Sequence, residues 1–309
     1  MFLKPGRDVP VRGGNPWIFS GAVARIAPES IEPGAFVEVR DADGASIGCG
    51  YCNPTTTIAV RMLWWGGAPS LDEIIARRIA SAIRFRSRLI GPDTNCYRLI
   101  NGDGDGLSGV VVDRYGDVLV AQFFTAGADR MRDTIVARLE SELHPHAIFE
   151  RSQGAVRRQE GLDDRVGAII GTLPDELIVT ENGIKLAIDP ELGQKTGYFL
   201  DQRENRARVG SMAAGARVLD AYSYAGGFAL AALAGGATEV VAVETSARAI
   251  ESAKRNLALN HPQGGAIEFV HDEAANYMAG AARKFDIVIL DPPPLARLRK
   301  DAARATHLR

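Results

Sequence analysis

Apolar and polar positions alternate in short stretches through the first part of the chain. Phe36-Val37-Glu38-Val39-Arg40 alternates, Asp41-Ala42-Asp43-Gly44 turns, and Ile58-Ala59-Val60-Arg61-Met62-Leu63 alternates again. Period two over such lengths predicts half-buried strands. No helical period is evident in residues 1–66, so they are expected to form a small β-domain, closed as a barrel. The period switches in residues 71–90, where Leu71, Ile74, Ile75, Ile79, Ala82, Ile83, Leu89 and Ile90 fall near helical spacing. Arg77, Arg78, Arg84, Arg86 and Arg88 lie largely off that stripe. Such a face is usually only solvated, but five arginines with few acids also suit phosphate.

Residues 97–124 read as strands broken by turns at 101–106 and 115–117, and residues 127–143 read as a helix. Strands are expected again at Ala147-Ile148-Phe149 and at 166–170, which makes residues 67–172 a compact α+β unit. From residue 177 the pattern changes. Two β-runs flank Glu181-Asn182-Gly183, a hairpin with an Asn-Gly turn. A βαβ rhythm follows, with strands at 217–220, 239–244, 267–270 and 285–290 and helices at 227–234 and 246–260. Apolar strands alternating with helices predict a parallel sheet covered on both faces, so residues 173–309 form an α/β, Rossmann-like domain.

Composition adds bounds. A chain of 309 residues suggests two or three domains, and 46% apolar with 24% charged residues is the balance of a soluble globular protein. No apolar run is long enough to span a bilayer, so no membrane association is expected. Three cysteines, Cys49, Cys52 and Cys96, with no export signal predict a reducing cytoplasm and no disulfide framework. Cys49 and Cys52 form a C-x-x-C with no second pair or His cluster, and the Asp-Gly run at 101–106 lacks calcium-ligand spacing, so no metal is expected. The net charge of −2 counts against nonspecific coating of nucleic acid. Of the 36 basic residues only six are lysine; the 30 arginines suit phosphate and base stacking, although a GC-rich coding bias accounts for them equally well.

In a parallel sheet of this type ligands bind beyond the carboxyl ends of the strands. Asp220, Glu244, Asp272 and Asp291 all stand at or near such ends. A lone strand-end acid is commonly a helix cap; four in successive strands form a set. The loop Asp220-Ala221-Tyr222-Ser223-Tyr224-Ala225-Gly226-Gly227-Phe228 lacks the G-x-G-x-x-G dinucleotide spacing. An acid followed by a short glycine turn suits the ammonium of a methionine moiety. Glu244, eighteen residues beyond Gly226, sits where a carboxylate accepts ribose hydroxyls, and Asp272 could accept from an adenine amino group. The arrangement fits S-adenosylmethionine better than a dinucleotide. Asp291-Pro292-Pro293-Pro294 would give a rigid strand exit beside the donated methyl.

These stretches resemble a bacterial family of ribosomal RNA large-subunit methyltransferases that make 5-methylcytosine. Its members carry a PUA domain, a central α+β domain and a class I methyltransferase domain. The resemblance runs through Asn15-Pro16-Trp17-Ile18-Phe19-Ser20-Gly21 and Gly50-Tyr51-Cys52-Asn53-Pro54, then Gly102 to Leu107 and Val112 to Gly116. It continues through Asp220 to Phe228 and Asp291-Pro292-Pro293, and is most specific at GQKTGYFLDQR, residues 193–203. It implies a PUA-like domain over 1–66 that docks RNA, a central domain over 67–172 and a methyltransferase domain over 173–309. It further implies a cofactor pocket built by Asp220, Ser223, Gly226, Glu244, Asp272 and Asp291. Residues 193–203 would cover the cofactor, with Lys195, Tyr198, Asp201 and Arg203 as pocket or RNA contacts.

Carbon-5 methylation of cytosine needs a thiolate that adds to carbon 6. None of the three cysteines is a credible nucleophile. In enzymes that look like this one the residue follows the Asp-Pro-Pro strand, so it is expected beyond Arg309, with the methyltransferase domain incomplete and the chain itself inactive. Two alternatives stay open: methylation of an exocyclic base nitrogen, which an aromatic after Asp-Pro-Pro would favour, and a non-catalytic RNA-binding protein. The oligomeric state, homodimer included, is not decided by the sequence.

Overall fold

The computed structural model describes residues 1–28, 30–67, 69–260, 265–280 and 283–292. The chain divides into two compact units, Met1–Leu177 with Ile188–Tyr198, and Ile178–Ala187 with Phe199 onward. In the first unit, the alternating stretches pair as expected. A six-stranded sheet runs in the order Trp17–Phe19, Ile58–Trp65, Ser46–Cys52, Ala35–Arg40, Phe2–Leu3, Val23–Arg25. It wraps an apolar core that includes Leu3, Ile18, Val39, Ile47, Val60 and Met62. Two short helical turns, Val9–Arg12 and Ser20–Ala22, interrupt what the sequence predicts as strands alone.

Residues 71–89 form the expected helix, opened by a capping box in which the Ser70 side chain accepts from the Glu73 amide and Glu73 accepts from the Ser70 amide. The helix covers a five-stranded sheet ordered Arg165–Ile170, Ala147–Ser152, Val118–Phe123, Val110–Tyr115, Cys96–Asn101. The apolar stripe explains the packing: Ile74, Ile75, Ile79 and Ala82 join Leu99, Val112 and Leu119 in one core, which also takes Cys49, Tyr51 and Leu63 from the β-domain. Residues 1–66 and 67–172 therefore share a core. A Cβ on Gly127 would lie 2.0 Å from the Tyr51 ring, so only glycine fits there. The Tyr51 hydroxyl donates to Ser108 O at 3.0 Å and hydrogen-bonds Thr125 Oγ1 at 2.7 Å. The single helix expected at 127–143 is two, Ala126–Arg130 and Arg132–Leu143, broken at Met131.

In the second unit, four parallel strands are ordered Ala266–His271, Glu239–Glu244, Arg217–Asp220, Ile287–Ile289. Alternate residues face opposite layers: Val218, Val240 and Ala242 with Ile289 in one core, Leu219, Val241 and Val243 in the other. Both faces are covered, as near-continuous apolar strands require. The first strand lies between the second and the fourth, so chain order reverses at its carboxyl end and opens a crevice there. Helix Gly227–Ala234 is alanine-rich because it must approach helix Arg203–Met212 closely: a Cβ on Gly235 would fall 1.9 Å from Gly210 O. The hairpin Leu177–Glu181 and Ile184–Ile188 turns at Asn182 and Gly183, both at positive φ (49° and 79°), as an Asn-Gly turn demands. Its second strand is pinned by Asn256, which accepts from the Ala187 amide and donates to Ala225 O.

Candidate cofactor site

Asp220 ends the first strand and is 1% exposed. Its Oδ2 accepts the Ala229 amide at 3.1 Å, one of the otherwise unpartnered donors in the first turn of helix Gly227–Ala234. Burial pushes its carboxyl up to about 7, and the Asp291 and Glu244 charges add to that rise. The following loop is stitched to both neighbouring strands: Ala221 N donates to Ile289 O and Ser223 N to Val243 O. Tyr224 is left-handed (φ 46°), an uncommon state for an aromatic residue and one that clusters at functional loops. Gly226, at φ 79°, begins the helix; a Cβ there would lie 3.0 Å from that of Ala253. Its small size thus serves helix packing. Ser223 Oγ is buried with no hydrogen-bond partner among the described residues.

Strand register places the other acids. Asp220 faces Ala242 on one side and Ile289 on the other. Glu244 and Asp291 each stand two residues further along, so they flank Asp220 symmetrically. Asp272 follows His271, which faces Glu244. Three of the four expected acids therefore converge at the switch point, with the fourth beside them. Glu244 Oε2 accepts the Tyr224 amide at 2.9 Å, and Oε1 accepts the Ser246 amide at 2.9 Å and the Thr245 hydroxyl at 3.2 Å. A carboxylate has about four acceptor sites, so room for further donors remains. Asp272 is half-buried and its Oδ1 accepts the Glu273 amide. Asp291 and Pro292 are described and exposed; Pro293 and Pro294 lie outside the described residues.

The stretch 193–203 divides between the units. Lys195 is exposed with left-handed backbone (φ 53°), and Tyr198 is buried within the first unit. There Thr196, which the sequence reading does not single out within 193–203, donates to Asp113 Oδ2 at 2.6 Å and hydrogen-bonds Tyr115 OH at 2.9 Å. In the second unit Asp201 is exposed and Arg203 pairs with its neighbour Glu204. The residue that reaches an acid is Gln202, whose Nε2 donates to Asp291 Oδ2 at 3.1 Å. Arg206 is equally unannounced by the sequence. It forks onto Glu181 at 2.6 and 2.7 Å in a fully buried pair. A Glu in a hairpin turn and an Arg on a short polar helix carry no spacing signal that joins them.

Cys49, Cys52 and Cys96 are all buried in the first unit, and burial pushes the Cys49 and Cys52 thiols up. Both properties disfavour them as nucleophiles. The arginine face needs correction. Arg86 is not solvated: its guanidinium is paired bidentate with Asp105, both side chains 12% exposed, and it also donates to Arg98 O. Arg78 donates to Leu63 O and lies over Trp64. Arg84 and Arg88 are exposed as expected.

Comparison with known proteins fits this geometry. Residues 118–302 match the family of S-adenosylmethionine-dependent methyltransferases, and residues 1–65 match a PUA-like domain. A ribosomal RNA large subunit methyltransferase I from Serratia proteamaculans is 36% identical over 313 residues, covering 99% of this chain and 78% of that protein. Its counterpart from Erwinia tasmaniensis is 37% identical, covering 95% of this chain and 75% of the relative. Among solved structures, a methyltransferase from Streptococcus mutans superimposes with a TM-score of 0.79 at 23% identity, covering 95% of this chain and 76% of that one. Another, crystallised with S-adenosylhomocysteine, gives 0.81 at 24% identity, covering 96% and 77%. No described helix is long and apolar enough to cross a membrane. The expected α/β class I fold behind a PUA-like domain and the S-adenosylmethionine dependence are borne out: the chain belongs to the S-adenosylmethionine-dependent methyltransferases, within the ribosomal RNA large subunit methyltransferase I family.

Proposed function

We propose that the protein methylates carbon 5 of a cytosine in large-subunit ribosomal RNA, with residues 1–66 docking RNA, 67–172 as the central domain and 173–309 carrying the cofactor. The observation that carries the cofactor reading is the buried carboxylate of Asp220, flanked at matched register by Glu244 and Asp291 with no cation paired to it among the described residues. Three converging carboxylates favour a cationic ligand. The residues fit S-adenosylmethionine. Its ammonium suits Asp220, its vicinal ribose hydroxyls suit Glu244, and its adenine amino group suits Asp272. The buried Ser223 hydroxyl supplies an unused polar group beside them. When bound, S-adenosylmethionine supplies an electrophilic methyl on a sulfonium.

The chain's own residues do the holding. Asp220 and Glu244 fix two ends of the ligand, and Gln202 holds Asp291 at the mouth of the fourth strand. Lys195, Tyr198, Asp201, Arg203, Arg84 and Arg88 are proposed as further pocket or RNA contacts. Cys49, Cys52 and Cys96 do not supply the thiolate that carbon-5 chemistry needs. Glu244→Ala should weaken S-adenosylhomocysteine binding by about 1.5–3 kcal/mol in calorimetry, the cost of losing a charged acceptor. Unchanged affinity would remove Glu244 from the site. Mass spectrometry of methylated large-subunit RNA distinguishes 5-methylcytidine from an exocyclic N-methyl product.

A further inference from the structure

Four groups outside the set of site acids link the hairpin, helix Arg203–Met212 and the loop that follows Asp220: Glu181, Arg206, Phe199 and Phe228. Arg206, on helix Arg203–Met212, donates to both Glu181 oxygens and, through Nη2, to Phe199 O at 2.9 Å. Its guanidinium lies 5.8 Å from the Phe228 ring centroid. The Phe199 ring meets Tyr224 edge to face, with centroids 5.4 Å apart and planes at 85°. Tyr224, held left-handed, donates its amide to Glu244 Oε2 at 2.9 Å. A continuous path thus runs from the hairpin through the helix to the acid proposed for the ribose.

A buried ion pair is weak support for stability, since desolvation consumes most of its Coulomb gain; specificity of arrangement is its best-attested use. Here the pair's second donor holds the backbone carbonyl of the residue whose ring meets Tyr224. Edge-to-face packing is directional, so that ring in turn restricts Tyr224. We propose that Arg206 is a positioning residue of the cofactor site: it holds Phe199 against Tyr224 so that the Tyr224 amide fixes the Glu244 carboxylate for two neighbouring ribose hydroxyls. The proposal rests on the reading of Glu244 as the ribose acceptor. A merely structural Arg206 would tie the hairpin to the helix and leave hydroxyl recognition untouched.

The two roles separate in a thermodynamic cycle on the 309-residue chain, titrated calorimetrically with S-adenosylhomocysteine and with its 2′-deoxyribose analogue. The wild-type chain should bind the deoxy analogue about tenfold or more weakly, since a site built to hydrogen-bond a hydroxyl discriminates against its absence. Arg206→Lys retains charge but not the fork, and Phe199→Leu leaves the ion pair intact. Both should weaken S-adenosylhomocysteine about tenfold and shrink the deoxy penalty to less than about threefold, the coupling expected of residues acting through one acceptor. Should Arg206→Lys fail to fold, Phe199→Leu decides alone. A full deoxy penalty in a folded variant, whatever its overall affinity, overturns the positioning role and leaves the Glu244 reading standing. No deoxy penalty in the wild-type chain overturns the Glu244 reading itself, and this proposal with it.

Discussion

Two strand-borne aspartates, one in each unit, are buried to the same degree and are treated oppositely by their surroundings. Asp113 is 0% exposed and Asp220 1%. Asp113 receives Arg98 on both oxygens, at 2.9 and 3.1 Å, and the Thr196 hydroxyl at 2.6 Å. Asp220 receives one backbone amide and faces two further carboxylates, Asp291 and Glu244. Burying a charge is tolerable only with a partner. In the first unit the partner is built in; in the second no cation is paired with Asp220 among the described residues, which leaves the place that the proposed cationic ligand would fill. On the proposed reading, what separates a structural buried acid from a site acid is the lack of a paired cation among the described residues, not the burial.

The comparison breaks most sharply under mutation of Asp113. Asp113→Ala leaves the Arg98 guanidinium and the Thr196 hydroxyl without their acceptor. Arg98 is one-third exposed, so the loss should stay below that of a fully buried pair, at about 1–3 kcal/mol, read from urea unfolding. A loss under about 1 kcal/mol would show that Asp113 is no better neutralised than Asp220.

Asp220 should respond with the opposite sign. Its folded pKa, about 7, lies above the ordinary 3.8, chiefly through burial. Between those values the native state holds a proton that the unfolded chain has released. This group's contribution to stability therefore falls as pH rises from about 4 to about 7, and the penalty is complete above that. A rise of that size corresponds to at most about 4 kcal/mol. Asp220→Asn, which keeps an acceptor for the Ala229 amide, should remove that decline and raise stability at about pH 8, above the folded pKa, while weakening S-adenosylhomocysteine. A variant as pH-sensitive as the parent would place the titration elsewhere.

How far the sequence speaks follows the same division. Strands Arg217–Asp220 and Glu239–Glu244 and the Asn182-Gly183 turn fall where apolar runs and turn chemistry put them. The strand expected at 285–290 is shorter, Ile287–Ile289; just ahead of it Asp286 donates its amide to Arg217 O and accepts the Arg217 amide on its carboxylate. Helices Arg203–Met212 and Ala155–Gln159 are invisible in the sequence for a specific reason. In each the only buried residue is an arginine, Arg206 and Arg157, so no apolar stripe marks the inward face. The proposed site acids are legible because strand ends repeat. Gln202, Thr196 and Arg206 are not, because their partners lie between 25 and 89 residues away in sequence and are joined only by the fold.

The smallest expected effect draws the same line within one helix. Arg84, Arg86 and Arg88 occur within five residues of one another, and composition treats them alike. Arg86 already has its anion: Asp105 occupies both arms of its fork, and Asp105 also accepts the Asn101 amide at 2.6 Å. A phosphate would have to displace a preorganised carboxylate to reach it. Arg84 and Arg88 are exposed and have no such carboxylate among the described residues. If this face carries RNA, neutralising Arg84 and Arg88 together should flatten the plot of log affinity against log salt by up to about two units, near 0.9 for each phosphate no longer neutralised. Arg86→Gln should leave the slope unchanged and lower stability instead, since Asp105 is left half-buried without its cation. Filter binding of a large-subunit RNA fragment at several salt concentrations measures the slopes, and urea unfolding measures the stability. A slope change with Arg86→Gln as large as with Arg84 would mean that the Asp105 pair opens for RNA. No change with Arg84 and Arg88 would mean that this face only meets water.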